Sequence, residues 1–176
     1  GENRVQELVG KAERFGVEAV EWHMIGHLQR NKVARALDYV QLIHSVDSLR
    51  LAEAISREAV KRERAVPVLV QVNASGEESK GGFAVEAGRA GVEAVVALPG
   101  LRVQGLMTMA PWTTDEAVIR RVFRRTRELF EECAAEVAGF EAVHLSMGMS
   151  NDYEVAVEEG STMVRLGTVL FGERPR

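Results

Sequence analysis

The chain is poor in cysteine and aromatic side chains and has no long apolar run. Its 176 residues include one cysteine, Cys133, so no disulfide can form within the chain. No apolar stretch reaches the roughly 20 residues that span a bilayer, and no secretory signal pattern is visible. The formal net charge of −4 gives no electrostatic reason to bind nucleic acid or an anionic membrane. We therefore expect a single cytoplasmic domain spanning residues 1–176, with Cys133 as a small packed side chain.

Metal-binding motifs are also missing. His23 and His27 are four residues apart, but they lie on a predicted strand and its loop and not on one helix. No His-Glu-x-x-His pattern or cysteine pair occurs, so we predict no metal site. The predicted helix that contains IRRVFRRTRELF holds five arginines without interleaved aromatic residues, which favours a solvated face over a nucleic-acid site. The expected partners of these arginines are Glu128, Glu131 and Glu132.

The chain does contain a regular alternation of apolar strands and amphipathic helices. Strands are predicted at 20–26, 39–46, 66–73, 101–109, from about 141 to 145, and at 163–171. Helices are predicted at 4–15, within 27–37, and at 49–64, 84–97, 113–136 and 152–159, with Asp47 or Ser48 as a cap. Such alternation indicates parallel strands covered by helices. Six strands fit an open doubly wound sheet, whereas eight would close a barrel, and no G-x-G-x-x-G follows an early strand.

Residues 144–172 carry the strongest functional signal. Residues 146–150 are predicted to form a tight turn of Ser, Gly and Met before the short helix. The strand predicted at 163–171 contains Arg165 and Gly167, which a buried strand seldom includes. Serine hydroxyls, backbone N–H groups and a glycine-lined turn are suited to an anionic phosphate.

Seven segments together resemble one known family. They are, in order, GENRVQE, EWHMIGHLQRNK, IHSVDS, VLVQVNASGEESKGGF, GLMTM, SMGMSND and VRLGTVLFG. In that order they resemble the motifs of the pyridoxal-phosphate-binding proteins that maintain vitamin B6 homeostasis, whose single-domain barrel is similar to the N-terminal domain of alanine racemase. The resemblance covers nearly the whole chain and implies a (β/α)₈ TIM barrel. GENRVQE matches a point inside the family pattern, so a first strand and helix and most of a second strand, roughly 45–55 residues, are expected upstream of Gly1.

The resemblance also implies a binding site for the phosphate of pyridoxal 5′-phosphate (PLP). Ser150, Gly167 and Thr168 would hold the phosphate, helped by backbone N–H groups of residues 149–151. Ligands of such barrels lie at the carboxyl ends of the strands, and phosphates often lie in the loops after strands seven and eight. The polar residues of this chain cluster at those ends. Ser150 is also a suitable N-cap for the helix that follows, so a structural role stays open.

The same resemblance assigns residues to the cofactor ring. Arg165 would face the pyridine nitrogen and keep it unprotonated, which disfavours broad carbanion chemistry. Met107, with its neighbour Met109, would pack against the ring, and Asn3 would touch the ring edge. Ser146, at the start of the predicted turn, completes the set. The alternatives are that Arg165 pairs with Glu158 or Glu159, and that the methionines belong to the core.

The lysine that normally anchors PLP through a Schiff base is not evident in this chain. Lys11 and Lys61 lie on charged helix faces, Lys32 starts a helix, and Lys80 lies in a polar loop. None lies in an apolar strand that leads to a barrel mouth. By the resemblance the anchoring lysine lies on the first barrel strand, and we expect it upstream of Gly1.

Three functions follow from these observations. The favoured one is a carrier that buffers PLP and passes it to PLP-dependent apoenzymes, without strong catalytic activity of its own. The second is a PLP-dependent amino-acid racemase, although the second domain and the opposing base used by alanine racemase are not evident. The third is a phosphate-binding barrel enzyme without PLP, such as an aldolase or isomerase, for which no acid and base carboxylates are seen at strand ends. A monomer is expected because no second domain is found.

Overall fold

The computed structural model describes residues 1–77 and 81–172, which form seven strands and seven α-helices. The strands are β1 (His23–Met24), β2 (Leu42–Val46), β3 (Val66–Asn73), β4 (Phe83–Ala84), β5 (Leu101–Met107), β6 (His144–Met149) and β7 (Met163–Arg165). The helices are α1 (Val5–Phe15), α2 (Val33–Leu37), α3 (Leu49–Lys61), α4 (Gly88–Val96), α5 (Glu116–Glu136), α6 (Tyr153–Glu158) and α7 (Thr168–Phe171). Short 3₁₀ turns occupy Val17–Ala19, Arg30–Lys32 and Val85–Ala87. Lys80 and the last four residues of the chain lie outside the described ranges.

All paired strands are parallel, in the order β1-β2-β3-β5-β6-β7, and β4 pairs with β3. This sheet is curled. His44 of β2 and Ser146 of β6 are in hydrogen-bonding contact at 2.9 Å, although β3 and β5 lie between these two strands in the sheet. Two strands separated in this way can exchange a hydrogen bond only if the sheet bends around a common interior. The α/β class and the barrel-like sheet predicted from the sequence are confirmed.

The curled sheet has an apolar outer face and a smaller inner cluster. Alternate side chains of a strand point to opposite faces. Outward residues such as Ile43, Val68, Val70 and Leu106 pack with α1–α5 into one large core. Inside the curl, Leu42, Leu69 and Met107 form a separate cluster with Met109 and Met163 against it. The interior therefore has room for polar side chains beside a short apolar wall.

One glycine sets the close approach of two central strands. Gly105 of β5 has a φ of +152°, and a β-carbon there would overlap the carbonyl oxygen of His144 in β6. A larger residue would force β5 and β6 apart. The strand pair that bears Met107 and Ser146 therefore depends on Gly105.

Two predicted boundaries in the C-terminal stretch are wrong. The turn predicted at 146–150 is mostly strand, because β6 continues to Met149 and pairs with both β5 and β7. The strand predicted at 163–171 ends at Arg165, and Thr168–Phe171 form a helix instead. Parallel pairing on both sides satisfies the backbone of 144–149 as strand, and local residue preferences do not reveal such partners.

Helix starts agree better with the local sequence. Ser48 caps α3, since its hydroxyl accepts a hydrogen bond from the N–H of Leu51. Asp115 caps α5 by accepting from the N–H groups of Ala117 and Val118. The strand predicted at 20–26 shrinks to the two residues of β1. Cys133 is fully buried in α5, as predicted, and burial raises the pKa of its thiol to about 11.

Candidate functional site

The turn after β6 and the turn after β7 meet at one hydroxyl group. The Oγ of Ser150 accepts hydrogen bonds from the backbone N–H of Gly167 at 3.1 Å and of Val169 at 3.4 Å. Thr168 lies between these two donors and is exposed. The structure therefore brings together the three residues that the sequence selected for phosphate, although their role stays a prediction.

Ser150 does not cap the following helix. The N-cap position of α6 is occupied by Asp152, whose carboxylate accepts from the N–H of Met149 at 2.6 Å and shapes the turn. Asp152 is 4% exposed. The predicted N-cap role of Ser150 is thus wrong, and its hydroxyl is directed at the turn after β7.

Arg165 ends β7 with its guanidinium inside the curled sheet. One Nη donates to the Oγ of Ser146 at 2.8 Å, and the other donates to the carbonyl oxygen of Thr108 at 2.8 Å. Burial lowers the pKa of Arg165 to about 10, while Asp152 acts in the opposite direction, so the side chain stays charged at neutral pH. These two bonds fix the fork of the guanidinium, which has five N–H groups in all.

Arg165 does not pair with Glu158 or Glu159, the alternative that the sequence left open. Those carboxylates bind Arg120 at 2.6 Å and 3.1 Å on the outer side of the protein. The arginines of α5 form ion pairs with glutamates, as predicted, but most of the predicted glutamate partners are wrong. Within α5, Arg127 reaches Glu131 at 3.7 Å and Arg120 reaches Glu116 at 2.5 Å. Arg120 and Arg124 also reach Glu159 at the end of α6, and Arg125 reaches Glu86 in the 3₁₀ turn before α4. The predicted partner Glu132 pairs with Arg89 of α4 instead.

A polar chain runs from Arg165 across the interior to β1. Ser146, which accepts from Arg165, also contacts the Nδ1 of His44 at 2.9 Å. The Nε2 of His44 in turn contacts the Nδ1 of His23 at 3.1 Å. Ser146 and His44 are almost completely buried. We call His23, His44, Ser146 and Arg165 the interior chain.

Both interior histidines are held in the neutral form. Burial, followed by the charges of His23 and Arg165, lowers the pKa of His44 to about 2. Burial also lowers the pKa of His23. A cation on His44 would lie beside the guanidinium of Arg165 without water, which explains the lowered pKa of His44. For His23, burial outweighs the opposing charge of Glu21.

The remaining predicted site residues lie at the same end of the sheet or in its interior. Met107 is 1% exposed within the inner cluster, which agrees with both a core role and a wall beside a ligand. Asn3 is exposed, and its backbone packs so closely on Gly26 that a β-carbon at Gly26 would clash with it. Asn3 thus lies beside the end of β1, as its predicted place at a strand end requires.

One cavity lies elsewhere on the same end of the protein. Its volume is about 540 Å³, and the loops after β1 and β2 line it, with His27, Arg30, Asp47 and Arg50 among the lining residues. It does not include Ser150, Arg165 or Gly167. We therefore locate the candidate site by hydrogen bonding and not by cavity size.

The sequence reasoning missed His23, His44 and Thr108 as parts of this network. A usable signal existed in β2, where His44 interrupts the otherwise apolar run LIHSV. A buried polar residue in such a strand needs a partner. The partner is 102 positions away, and spacing along the chain could not identify it.

The architecture defines the class of this protein. The family model of the alanine racemase N-terminal domain matches residues 1–175. An alanine racemase from Clostridium difficile 630 has the same fold, with a TM-score of 0.75 over 99% of this chain and 43% of that chain at 18% identity. At that identity the likeness shows the fold alone.

Closer relatives define the family within that class. The pyridoxal phosphate homeostasis protein of Aquifex aeolicus is 47% identical over 174 residues, which cover 99% of this chain and 76% of that protein. The PipY protein of Synechococcus elongatus, solved with PLP bound, is 35% identical with a TM-score of 0.88, covering 98% of this chain and 80% of that chain. The chain belongs to the family of pyridoxal phosphate homeostasis proteins, as the resemblance predicted.

Within residues 1–77 and 81–172, no helix combines the length and the apolar character needed to cross a bilayer.

Proposed function

We propose that this chain binds PLP and acts in cofactor homeostasis as a carrier that delivers it to PLP-dependent apoenzymes. The observation that carries the proposal is the meeting of Ser150 with the N–H groups of Gly167 and Val169, beside a charged Arg165 in the sheet interior. The PLP bound to the related PipY supports the choice of ligand.

The turn chemistry fits the phosphate group. The hydroxyl of Ser150 occupies the position of an acceptor for two backbone N–H groups, and the hydroxyl of Thr168 follows directly in the chain. A phosphate oxygen is a stronger acceptor than a hydroxyl, and the same N–H groups can serve it. Ser150, Gly167 and Thr168 would hold the phosphate.

Arg165 fits the ring nitrogen. Bound PLP supplies a reactive aldehyde and a ring that withdraws electrons most strongly when its nitrogen is protonated. A guanidinium only donates hydrogen bonds, so Arg165 would bind the unprotonated nitrogen and oppose its protonation. Met107 would form part of the wall beside the ring, Ser146 would hold Arg165, and Asn3 would lie near the ring edge.

The same choice limits catalysis. A ring nitrogen kept unprotonated weakens the cofactor as an electron sink, which disfavours broad carbanion chemistry. A racemase would in addition need two positioned groups, one on each face of its substrate. We propose a carrier without strong catalytic activity, a cytoplasmic location and a monomeric state.

The test uses the complete gene product. Apoprotein titrated with PLP should turn yellow with one PLP per chain, and hydroxylamine should bleach the colour because it captures the aldehyde. Ser150→Ala should weaken PLP binding, whereas Arg121→Gln on the outer face of α5 should leave it unchanged.

A second measurement separates the carrier from a racemase. The PLP-loaded protein is incubated with L-alanine, and the D-enantiomer is quantified by chiral chromatography. Turnover at an enzyme-like rate, above roughly 1 s⁻¹, would replace the carrier by a racemase-like enzyme. A protein that neither colours nor retains PLP after gel filtration would refute the proposed function altogether.

A further inference from the structure

The interior chain has a direction that its contacts determine. It begins at the guanidinium of Arg165, which can only donate, and passes through Ser146 and His44 to His23. At the far end the Nε2 of His23 lies 4.0 Å from the carboxylate of Glu21, which at neutral pH can only accept. The ends of the chain are thus a donor and an acceptor of fixed character.

The hydroxyl of Ser146 determines whether neutral His44 carries its proton on Nδ1 or on Nε2. Its oxygen accepts from Arg165, and the remaining question is whether it donates to His44 or accepts from it. If His44 carried its proton on Nδ1, the hydroxyl proton of Ser146 would need another acceptor. Among the described residues, Arg165 and His44 are the hydrogen-bond partners of this fully buried oxygen. A buried hydroxyl without an acceptor is costly, so Ser146 donates to the Nδ1 of His44.

The rest of the chain follows from that assignment. His44 is neutral, accepts on Nδ1 and carries its proton on Nε2, which it donates to the Nδ1 of His23. His23 then carries its proton on Nε2, on the side where Glu21 lies. Every donor from Arg165 to His23 points the same way, and bonds aligned in this manner polarise one another.

We propose that His44 is a positioning residue for Arg165 and acts through Ser146. Because the Nδ1 of His44 accepts a hydrogen bond from the hydroxyl of Ser146, a lone pair of that oxygen is directed at the guanidinium of Arg165. The hydrogen bond to His23 fixes the tautomer of His44. The role depends on the proposed function in one respect, since Arg165 is positioned here for the ring nitrogen of PLP. The proton arrangement itself does not require the cofactor.

The first experiment measures the tautomers in the PLP-free complete protein. Long-range ¹H–¹⁵N correlation spectra of ¹⁵N-histidine-labelled protein at pH 7 should show both His23 and His44 protonated on Nε2 only. Assignment uses His23→Asn and His44→Asn variants. A proton on the Nδ1 of His44, or a doubly protonated His44, would overturn the proposal whether or not the protein binds PLP.

The second experiment is a double-mutant cycle with PLP affinity as its readout. His44→Phe removes the acceptor and Ser146→Ala removes the hydroxyl, and each should weaken PLP binding by about tenfold. Because both act on the same bond to Arg165, the double variant should be no weaker than the weaker single variant. Additive losses would show that His44 does not act through Ser146.

Two further variants control the cycle. His44→Asn places a carboxamide oxygen where the Nδ1 acceptor stood, and it should restore affinity to within about threefold of the unchanged protein. His27→Phe makes the same exchange at an exposed histidine outside the interior chain and should leave PLP affinity unchanged. If His44→Phe does not fold, a failure of His44→Asn to bind PLP while Ser146→Ala binds normally would refute the role. Absence of PLP binding in the unchanged protein would refute the proposed function, with the tautomer result standing apart.

Discussion

Charged and polar side chains form two very different systems in this protein. The interior chain has four members, of which Ser146 and His44 are 0% and 1% exposed, and each contact has one donor and one acceptor. The outer system lies where α4, α5 and α6 meet and uses many ion pairs. We call it the outer layer, and its arginines are Arg89, Arg120, Arg124 and Arg125.

The outer layer has more ion pairs, but each pair contributes less to stability than a contact of the interior chain. Arg120 alone reaches three carboxylates, those of Glu116, Glu158 and Glu159, so the loss of one partner leaves others. Exposed pairs are screened by water and salt and contribute about 0–1 kcal/mol each. In the interior chain no water replaces a lost partner, and one deletion leaves a buried polar group unsatisfied. The comparison teaches that solvent exclusion, and not the count of charges, decides which polar residues are critical.

The largest effect is expected from Arg165→Met. The change removes the donor to Ser146 and to the carbonyl of Thr108 together with the proposed partner of the ring nitrogen. We expect PLP affinity to fall by about 100-fold, measured by fluorescence titration of the apoprotein. Arg165→Lys is the control, because a point charge cannot reproduce both bonds and should recover little affinity. Full recovery by lysine would show that charge alone suffices.

Ser150→Ala should have a smaller effect. It removes the acceptor shared by the N–H groups of Gly167 and Val169 and one proposed phosphate contact. PLP affinity should fall by about tenfold, whereas affinity for pyridoxal, which has no phosphate, should not change. An equal loss for both ligands would place the phosphate elsewhere.

The next largest effect is expected in the pH dependence of stability, to which His44 of the interior chain contributes. His44 has a folded-state pKa of about 2 against an ordinary value of 6.5, so between these values the unfolded chain binds a proton that the native chain does not. Its contribution to stability is complete above pH 6.5 and is lost as the pH falls. From pH 6 to pH 5 the free energy of unfolding should drop by about 1 kcal/mol more in the unchanged protein than in His44→Asn.

Urea unfolding at each pH supplies the measurement. The groups that act on His44 through their charges include His23 from β1, His144 from β6 and Arg165 from β7. The comparison with His44→Asn cancels titrations that the two proteins share. Parallel curves would mean that His44 titrates normally in the folded state.

The smallest effect is expected in the outer layer. Glu159 is 4% exposed and is held by Arg120 and Arg124, which lower the pKa of its carboxyl. Glu159→Gln should reduce the free energy of unfolding by about 1 kcal/mol, and 0.5 M salt should diminish the difference. Arg121→Gln, at an exposed position that forms no ion pair with another described residue, should change stability by less than about 0.5 kcal/mol. A loss at Glu159 as large as that at Arg165 would contradict the comparison.

Local sequence patterns predict much of the fold. Apolar periodicity predicts six strands and most helices of the structure, and Ser48, one of two predicted caps, caps α3 through its bond to Leu51. Ser150, Gly167 and Thr168 were selected from residue type and resemblance, and the structure places them together. The predictions of strands, helices and the cap succeeded because each rests on neighbours in the chain, whereas the phosphate-binding role of these three residues stays a prediction.

The failures share one physical cause. The extension of β6 to Met149 depends on pairing with β5 and β7, and the helix that replaces the predicted end of β7 begins beside the hydroxyl of Ser150. The interior chain joins two pairs of neighbouring strands, β1 with β2 and β6 with β7, which β3 and β5 separate in the sheet. In each case the deciding partner is remote in the sequence.

The order of residues along the chain thus determines that this is an α/β protein of parallel strands and a member of the family of pyridoxal phosphate homeostasis proteins, because periodicity and motifs are local properties. Only the curl of the sheet decided that His44 would meet Ser146, and that Arg165 would turn inward to Ser146 and not outward to Glu159. A hydrogen bond forms only within about 3 Å, and folding alone brings groups 102 positions apart to that distance.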